Sequence, residues 1–96
     1  MAISGNQLKA ARALAGLDQK ALADRARVGI NTIRNFEAAG TGNVRGRLDT
    51  LDAIVAALKL AGVVFVPENG EGPGVRLVKS KSTAIAVEDP NSTNDV

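Results

Sequence analysis

The 96-residue chain contains no cysteine, histidine, tryptophan or tyrosine, and only two phenylalanines and three prolines. Without cysteine there is neither a disulfide nor a thiolate metal site, and an intracellular, cytoplasmic setting is the simplest expectation. Without histidine the commonest general base and metal ligand is missing. Phe36 and Phe65 are too few to form a stacking platform for single-stranded nucleic acid. Apolar runs are short and broken by charge, and no signal peptide opens the chain, so neither a membrane span nor secretion is expected. Carboxylates and lysines are present, but they form no constellation of nucleophile, base and orienting group, and no catalytic residue is assigned. The GEGPG segment lacks the Lys-Ser/Thr of a Walker phosphate loop and its strand-to-helix context, so it reads as a turn. No metal and no cofactor are expected.

What remains is a small domain with apolar material for a core of four or five helices. Its formal net charge is only +2, but the distribution is uneven. All 12 Lys and Arg fall within residues 1–81, and residues 1–47 alone carry 8 basic groups against 3 acidic ones. The last 15 residues hold Glu88, Asp89 and Asp95 and no base. A basic front half with a mildly acidic tail suits contact with phosphates.

Along the chain, Ser4 and Gln7 spell a capping box that starts a helix near Gly5. Leu8, Ala11 and Ala15 give it one apolar stripe, and Gly16 closes it. Asp18 is the N-cap of a second helix running to about Ala26. Residues 27–29 form a turn, and a third helix is expected over 30–39. Residues 40–46 carry three glycines and read as a flexible loop, with Arg45 and Arg47 at or just beyond its end. A fourth helix, LDTLDAIVAALKLAG, places Leu48, Leu51, Ile54, Val55 and Leu58 inward and stops at Gly62. The period then changes. Residues 63–66 and 75–78 are β-branched runs on either side of the turn-rich ENGEGPG, which predicts a β-hairpin or strand pair. Such a hairpin is marginal in water unless covered. It either packs on the fourth helix or uses Val63, Val64, Phe65 and Val66 to pair with a second subunit. The expected organisation is therefore a helical domain over 1–62, a hairpin over 63–78 for dimerisation or packing, and a flexible tail over 79–96 in which 84–87 can add a strand on binding.

Residues 19–37, QKALADRARVGINTIRNFE, are the most informative stretch. Leu22, Ala23, Ala26, Ile33 and Phe36 supply apolar contacts between two short helices, and Ala23 is small enough for a close crossing. The second of these helices offers Asn31, Arg34 and Asn35 as donors and acceptors for base edges, Ile30 as an apolar probe for a thymine methyl, and Thr32 for a methyl or a phosphate. This is the layout by which a helix-turn-helix reads a DNA major groove.

These residues resemble the lambda-repressor-like family of DNA-binding proteins, the XRE, Cro and phage repressor type. The likeness runs from about Asn6 to Leu60: QLKAARALAG in the first helix, Gln19 opening the second, the Leu22–Ala23 pair, Thr32, Ile33 and Glu37, a basic loop and an apolar fourth helix. The stretch VVFVPENGEGPGVRL is similar to the short β element that ends small bacterial regulators of this kind. The resemblance implies a mainly α, four-to-five-helix lambda-repressor-like bundle with a short C-terminal β-hairpin. It implies that Gln19 hydrogen-bonds a backbone phosphate and braces the recognition helix, with Lys20 and Arg27 nearby, and that Arg45 and Arg47 contact phosphate or enter the minor groove. It also implies an ion pair between Arg12 and Glu37 that is structural. Two positions depart from the family: Arg27 stands where glycine usually eases the turn, and Gly29 where Ser or Thr usually caps the third helix. A turn shifted by one residue, with Gly29 taking the unusual backbone angles, is the expectation that follows.

The functional expectation is a sequence-specific regulator of transcription, a dimeric repressor that binds an inverted repeat in double-stranded DNA. The alternative is an antitoxin-like or anti-activator-like module that captures a protein partner through its C-terminal hairpin and tail.

Overall fold

A computed structural model describes residues 2–78 and consists of four helices followed by an antiparallel two-stranded hairpin. The tail and the 84–87 segment lie outside the described residues. Helix α1, Gly5–Leu14, begins at a complete capping box: the Ser4 hydroxyl accepts from the Gln7 N–H at 3.0 Å and the Gln7 carboxamide oxygen accepts from the Ser4 N–H at 2.8 Å. Helix α2, Gln19–Ala26, is capped by Asp18, whose carboxylate accepts from the Ala21 N–H at 2.7 Å. Helix α3, Ile30–Glu37, stops two residues short of the expected end. Ala39 and Gly40 bond back to Phe36 and Glu37, three residues away, which tightens the last turn and closes the helix. Helix α4, Leu48–Leu60, buries Leu51, Ile54, Val55, Ala57 and Leu58.

Leu48, expected inward, is 63% exposed. It is the first residue of α4, and the packed face begins one turn later at Leu51. The 40–46 segment is likewise tied down where a flexible loop was expected. Val44 N–H donates to the Ile3 carbonyl at 2.8 Å, Gly5 N–H to Gly42 at 3.1 Å and Asn6 N–H to Gly40 at 2.8 Å. The loop thereby satisfies orphan donors at the start of α1.

That junction demands glycine. A Cβ on Gly5 would lie 2.7 Å from the Glu37 and Phe36 carbonyl oxygens and the Gly40 nitrogen, all backbone atoms unable to step aside. A Cβ on Gly46 would meet the Phe36 ring at 2.7 Å. Small residues at 5 and 46 let α1 and the loop close over the end of α3.

The core joins all four helices and the hairpin, with Leu8, Leu22, Ile33, Ile54, Leu58 and Val63 fully buried. Strand β1, Val63–Val66, pairs with β2, Gly74–Leu77, in a register that sets Val63 opposite Leu77 and Phe65 opposite Val75. Alternation puts these four on one face, and Val63, Phe65 and Val75 pack into the helical core. Gln7 adds a polar tie, its carboxamide N–H donating to the Gly74 carbonyl at 3.2 Å. Cover for the hairpin thus comes from within the chain.

Candidate nucleic-acid interface

The turn between α2 and α3 is built on Arg27, which takes the left-handed conformation (φ 59°, ψ 45°) that an L side chain adopts at a cost. Gly29, expected to hold the unusual angles, is instead extended (φ −73°, ψ 149°) and serves as N-cap of α3. The expected one-residue shift of the turn is therefore absent. As glycine, Gly29 has no side chain to cap α3, so the first N–H groups of that helix have no side-chain acceptor.

Helix α3 divides cleanly. Ile33 and Phe36 go into the core, and Asn31, Arg34, Asn35 and Ala38 are exposed. The spacing of the exposed set is i, i+3, i+4, i+7, one continuous stripe. Ile30 and Thr32 flank it and are half-buried, and Ile30 also packs against the core. Arg34 Nη1 lies 3.3 Å from the Asn31 Oδ1, so two of the groups with base-edge chemistry are held together on the surface.

Behind the stripe sits a polar brace. Arg12 Nε donates to Glu37 Oε2 at 2.7 Å and its Nη2 to Oε1 at 3.0 Å, a bidentate pair with side chains only 16% and 6% exposed. Arg12 Nη1 also donates to the Leu17 carbonyl at 3.1 Å, and Gln19 Nε2 to Glu37 Oε1 at 3.1 Å. One carboxylate at the end of α3 thus gathers donors from α1 and α2. The hydrogen bond to Glu37 raises the Arg12 pKa above its ordinary value, against the opposing effect of partial burial. Gln19, expected both at a backbone phosphate and as a brace of the recognition helix, donates its carboxamide N–H to Glu37 within this brace.

The remaining expected phosphate ligands are all exposed, but they differ in their company. Arg27 and Arg45 form no ion pair among the described residues. Lys20 reaches Asp24 at 3.4 Å, and Arg47 forms a bidentate pair with Asp49 at 3.1 and 3.0 Å. The Arg47 hydrogen bond holds the Asp49 carboxyl below the usual carboxylate range, and the same contact raises the Arg47 pKa. Sequence reasoning passed over both aspartates and the extension of the exposed stripe to Ala38. An acid four residues after Lys20 was the available signal for the first pair; Arg47 is the N-cap outside α4, so no helical spacing marks the second.

Of the four residues expected at a dimer contact, Val63 is fully buried in its own core and Phe65 packs half-buried against it; Val64 and Val66 are half-buried on the other face of the strand.

A cavity of about 440 Å³ lies between the start of α1, the 40s loop and the hairpin turn. Its one carboxylate, Glu68, is occupied in accepting from the Gly70 and Gly72 N–H groups at 2.9 and 3.1 Å. Among the described residues no cluster of three or more acids could hold a metal ion, and no helix is long and apolar enough to cross a membrane. No protein-family model and no curated protein matches the chain.

Proposed function

We propose that this chain is a sequence-specific, double-stranded-DNA-binding regulator of transcription with a lambda-repressor-like helix-turn-helix fold, acting in the cytoplasm as a dimeric repressor on an inverted repeat. The observation that supports this reading is the exposed stripe Asn31, Arg34, Asn35 and Ala38 on α3, next to a turn that spends a strained backbone position on Arg27. Arginine pairs bidentately with guanine and asparagine with adenine, each contact discriminating by roughly 1–3 kcal/mol. Arg27, Arg45, Lys20 and Arg47 supply the sequence-independent charge. Two copies on half-sites about 34 Å apart turn weak single contacts into useful affinity. The reaction chemistry of an enzyme has no counterpart in this reading.

Fluorescence anisotropy tests it: the protein is titrated onto DNA from upstream of its own gene and onto scrambled DNA, at several salt concentrations. Tight binding to the upstream DNA alone, weakening steeply with salt, is expected. Equal and weak binding to both shifts support to a second reading, capture of a protein partner in the manner of an antitoxin or anti-activator. Exposed Leu60, Leu77 and Val78 at the hairpin end of the molecule favour that alternative.

A further inference from the structure

The hairpin turn holds the chain's single Asn-Gly pair, Asn69 and Gly70, within the run ENGEG. An asparagine followed by glycine is open to attack by its own backbone. Its carboxamide carbon is one five-membered ring closure from the next nitrogen, and glycine has no side chain to shield that nitrogen. Glu68, Asn69, Gly70 and Glu71 all lie in solvent. Gly70 takes φ 100°, with open space where a Cβ would stand, so nothing crowds its nitrogen from that side.

Hydrogen bonds within the turn reach both groups that such a closure uses. The Gly70 N–H donates to Glu68 Oε2 at 2.9 Å, and the Gly72 N–H shares that oxygen at 3.1 Å. The Glu71 N–H donates to Asn69 Oδ1 at 3.2 Å. The first contact sets a carboxylate on the proton that the nucleophile must lose. The last sets a donor on the oxygen where negative charge gathers when the carboxamide carbon is attacked. The Gly72 contact holds the carboxylate over the turn. None of these atoms belongs to the DNA-binding surface proposed above.

We propose that Asn69 is a self-modification site at which Glu68 acts as the general base. The Gly70 N–H proton passes to Glu68 as the nitrogen bonds to Asn69 Cγ. The bond from Cγ to Nδ2 then breaks, and the amide leaves as ammonia, taking the proton back from Glu68. The product is a succinimide, which one water molecule opens at either carbonyl to give aspartate or isoaspartate. No oxidant or reductant takes part. Either product adds a carboxylate between Glu68 and Glu71 and lowers the formal net charge from +2 by one. Isoaspartate also routes the backbone through the former side chain, which lengthens the turn that joins β1 to β2.

The tryptic peptide 60–76 has Asn69 as its only asparagine, so its aspartate and isoaspartate forms are resolved by chromatography and mass. Full-length wild type is incubated at neutral pH, folded and unfolded in guanidinium chloride, beside folded Glu68→Gln. In that variant the side-chain oxygen still accepts a hydrogen bond but does not take up the proton, and circular dichroism checks that it is folded. Folded wild type should lose Asn69 roughly tenfold faster than either of the other samples. A folded rate no higher than the unfolded one overturns the proposal, because the turn then ignores or protects the pair. A Glu68→Gln rate equal to that of folded wild type overturns it as well, leaving Glu68 as only a tether of the turn.

Discussion

The inner end of α3 and its outer stripe handle polar groups in opposite ways. At its C-terminal end, the Glu37 side chain is only 6% exposed, and its carboxylate accepts from Arg12 and Gln19. Along its outer stripe, Asn31, Arg34 and Asn35 lie in solvent, and the nearby Lys20–Asp24 and Arg47–Asp49 pairs are two-thirds exposed or more. Buried charge must be fully partnered, because an orphaned ion in a poorly solvated site is costly; exposed charge carries almost no such penalty and stays free to exchange water for a ligand. The first arrangement fixes the position of α3, and the second leaves its surface available.

Substitution separates the two. The largest effect is expected from Glu37→Ala, which strands the Arg12 guanidinium and should cost about 3–5 kcal/mol in urea unfolding. An unchanged melting temperature would show that the brace is dispensable. Next comes Gly5→Ala at the same junction, where a methyl against three backbone atoms at 2.7 Å should cost about 1–3 kcal/mol, read by the same unfolding curve. On the outer stripe the sign of the comparison reverses: Arg34→Ala and Asn35→Ala should leave the melting temperature alone and, on the proposed function, reduce operator discrimination by roughly 1–3 kcal/mol in anisotropy. A loss of stability instead would mean that the stripe is packed against something.

Arg27→Gly sharpens the contrast further, since it should move stability and binding in opposite directions. Relief of the left-handed strain should add about 1 kcal/mol to stability, while the salt dependence of DNA binding becomes shallower by one phosphate contact. The smallest effect belongs to the exposed pair at α4. Asp49 has a folded pKa below its ordinary value, so its contribution to stability is fully present above the ordinary carboxylate pKa and is lost as pH falls through the lowered one. Comparing wild type with Asp49→Asn by thermal melting from pH 7 to pH 2 should give curves that converge at the acid end and differ only slightly at neutrality. A large gap at neutrality would put this pair in the same class as the buried brace.

Helix starts were legible in the sequence because their signals are local. Ser4 with Gln7 and Asp18 act on backbone groups within three residues, and the caps form where these residues stand. The apolar spacing of Leu22, Ala23, Ala26, Ile33 and Phe36 likewise marks residues that are buried, because a helix has only one way to present a period of 3.6. Leu48 shows the limit of that reasoning: it has the right period, yet it stands at the first turn, ahead of the packed face. The turn shows another limit. Propensity favoured glycine for the left-handed residue, and the chain placed Arg27 there because the lengths of α2 and α3 and their contact fix which residue must bend.

Order and type of the elements, the caps at Ser4 and Asp18, the apolar stripes and the polar character of α3 all follow from interactions spanning a few residues. The packed arrangement of whole helices was needed to see that the 40s loop is pinned by Ile3 and the start of α1, that Gly5 and Gly46 are points of closest approach, and that Val63 is spent on the chain's own core. Each of these joins residues far apart in the chain. Contacts of that kind depend on the positions of whole helices, which no local pattern records.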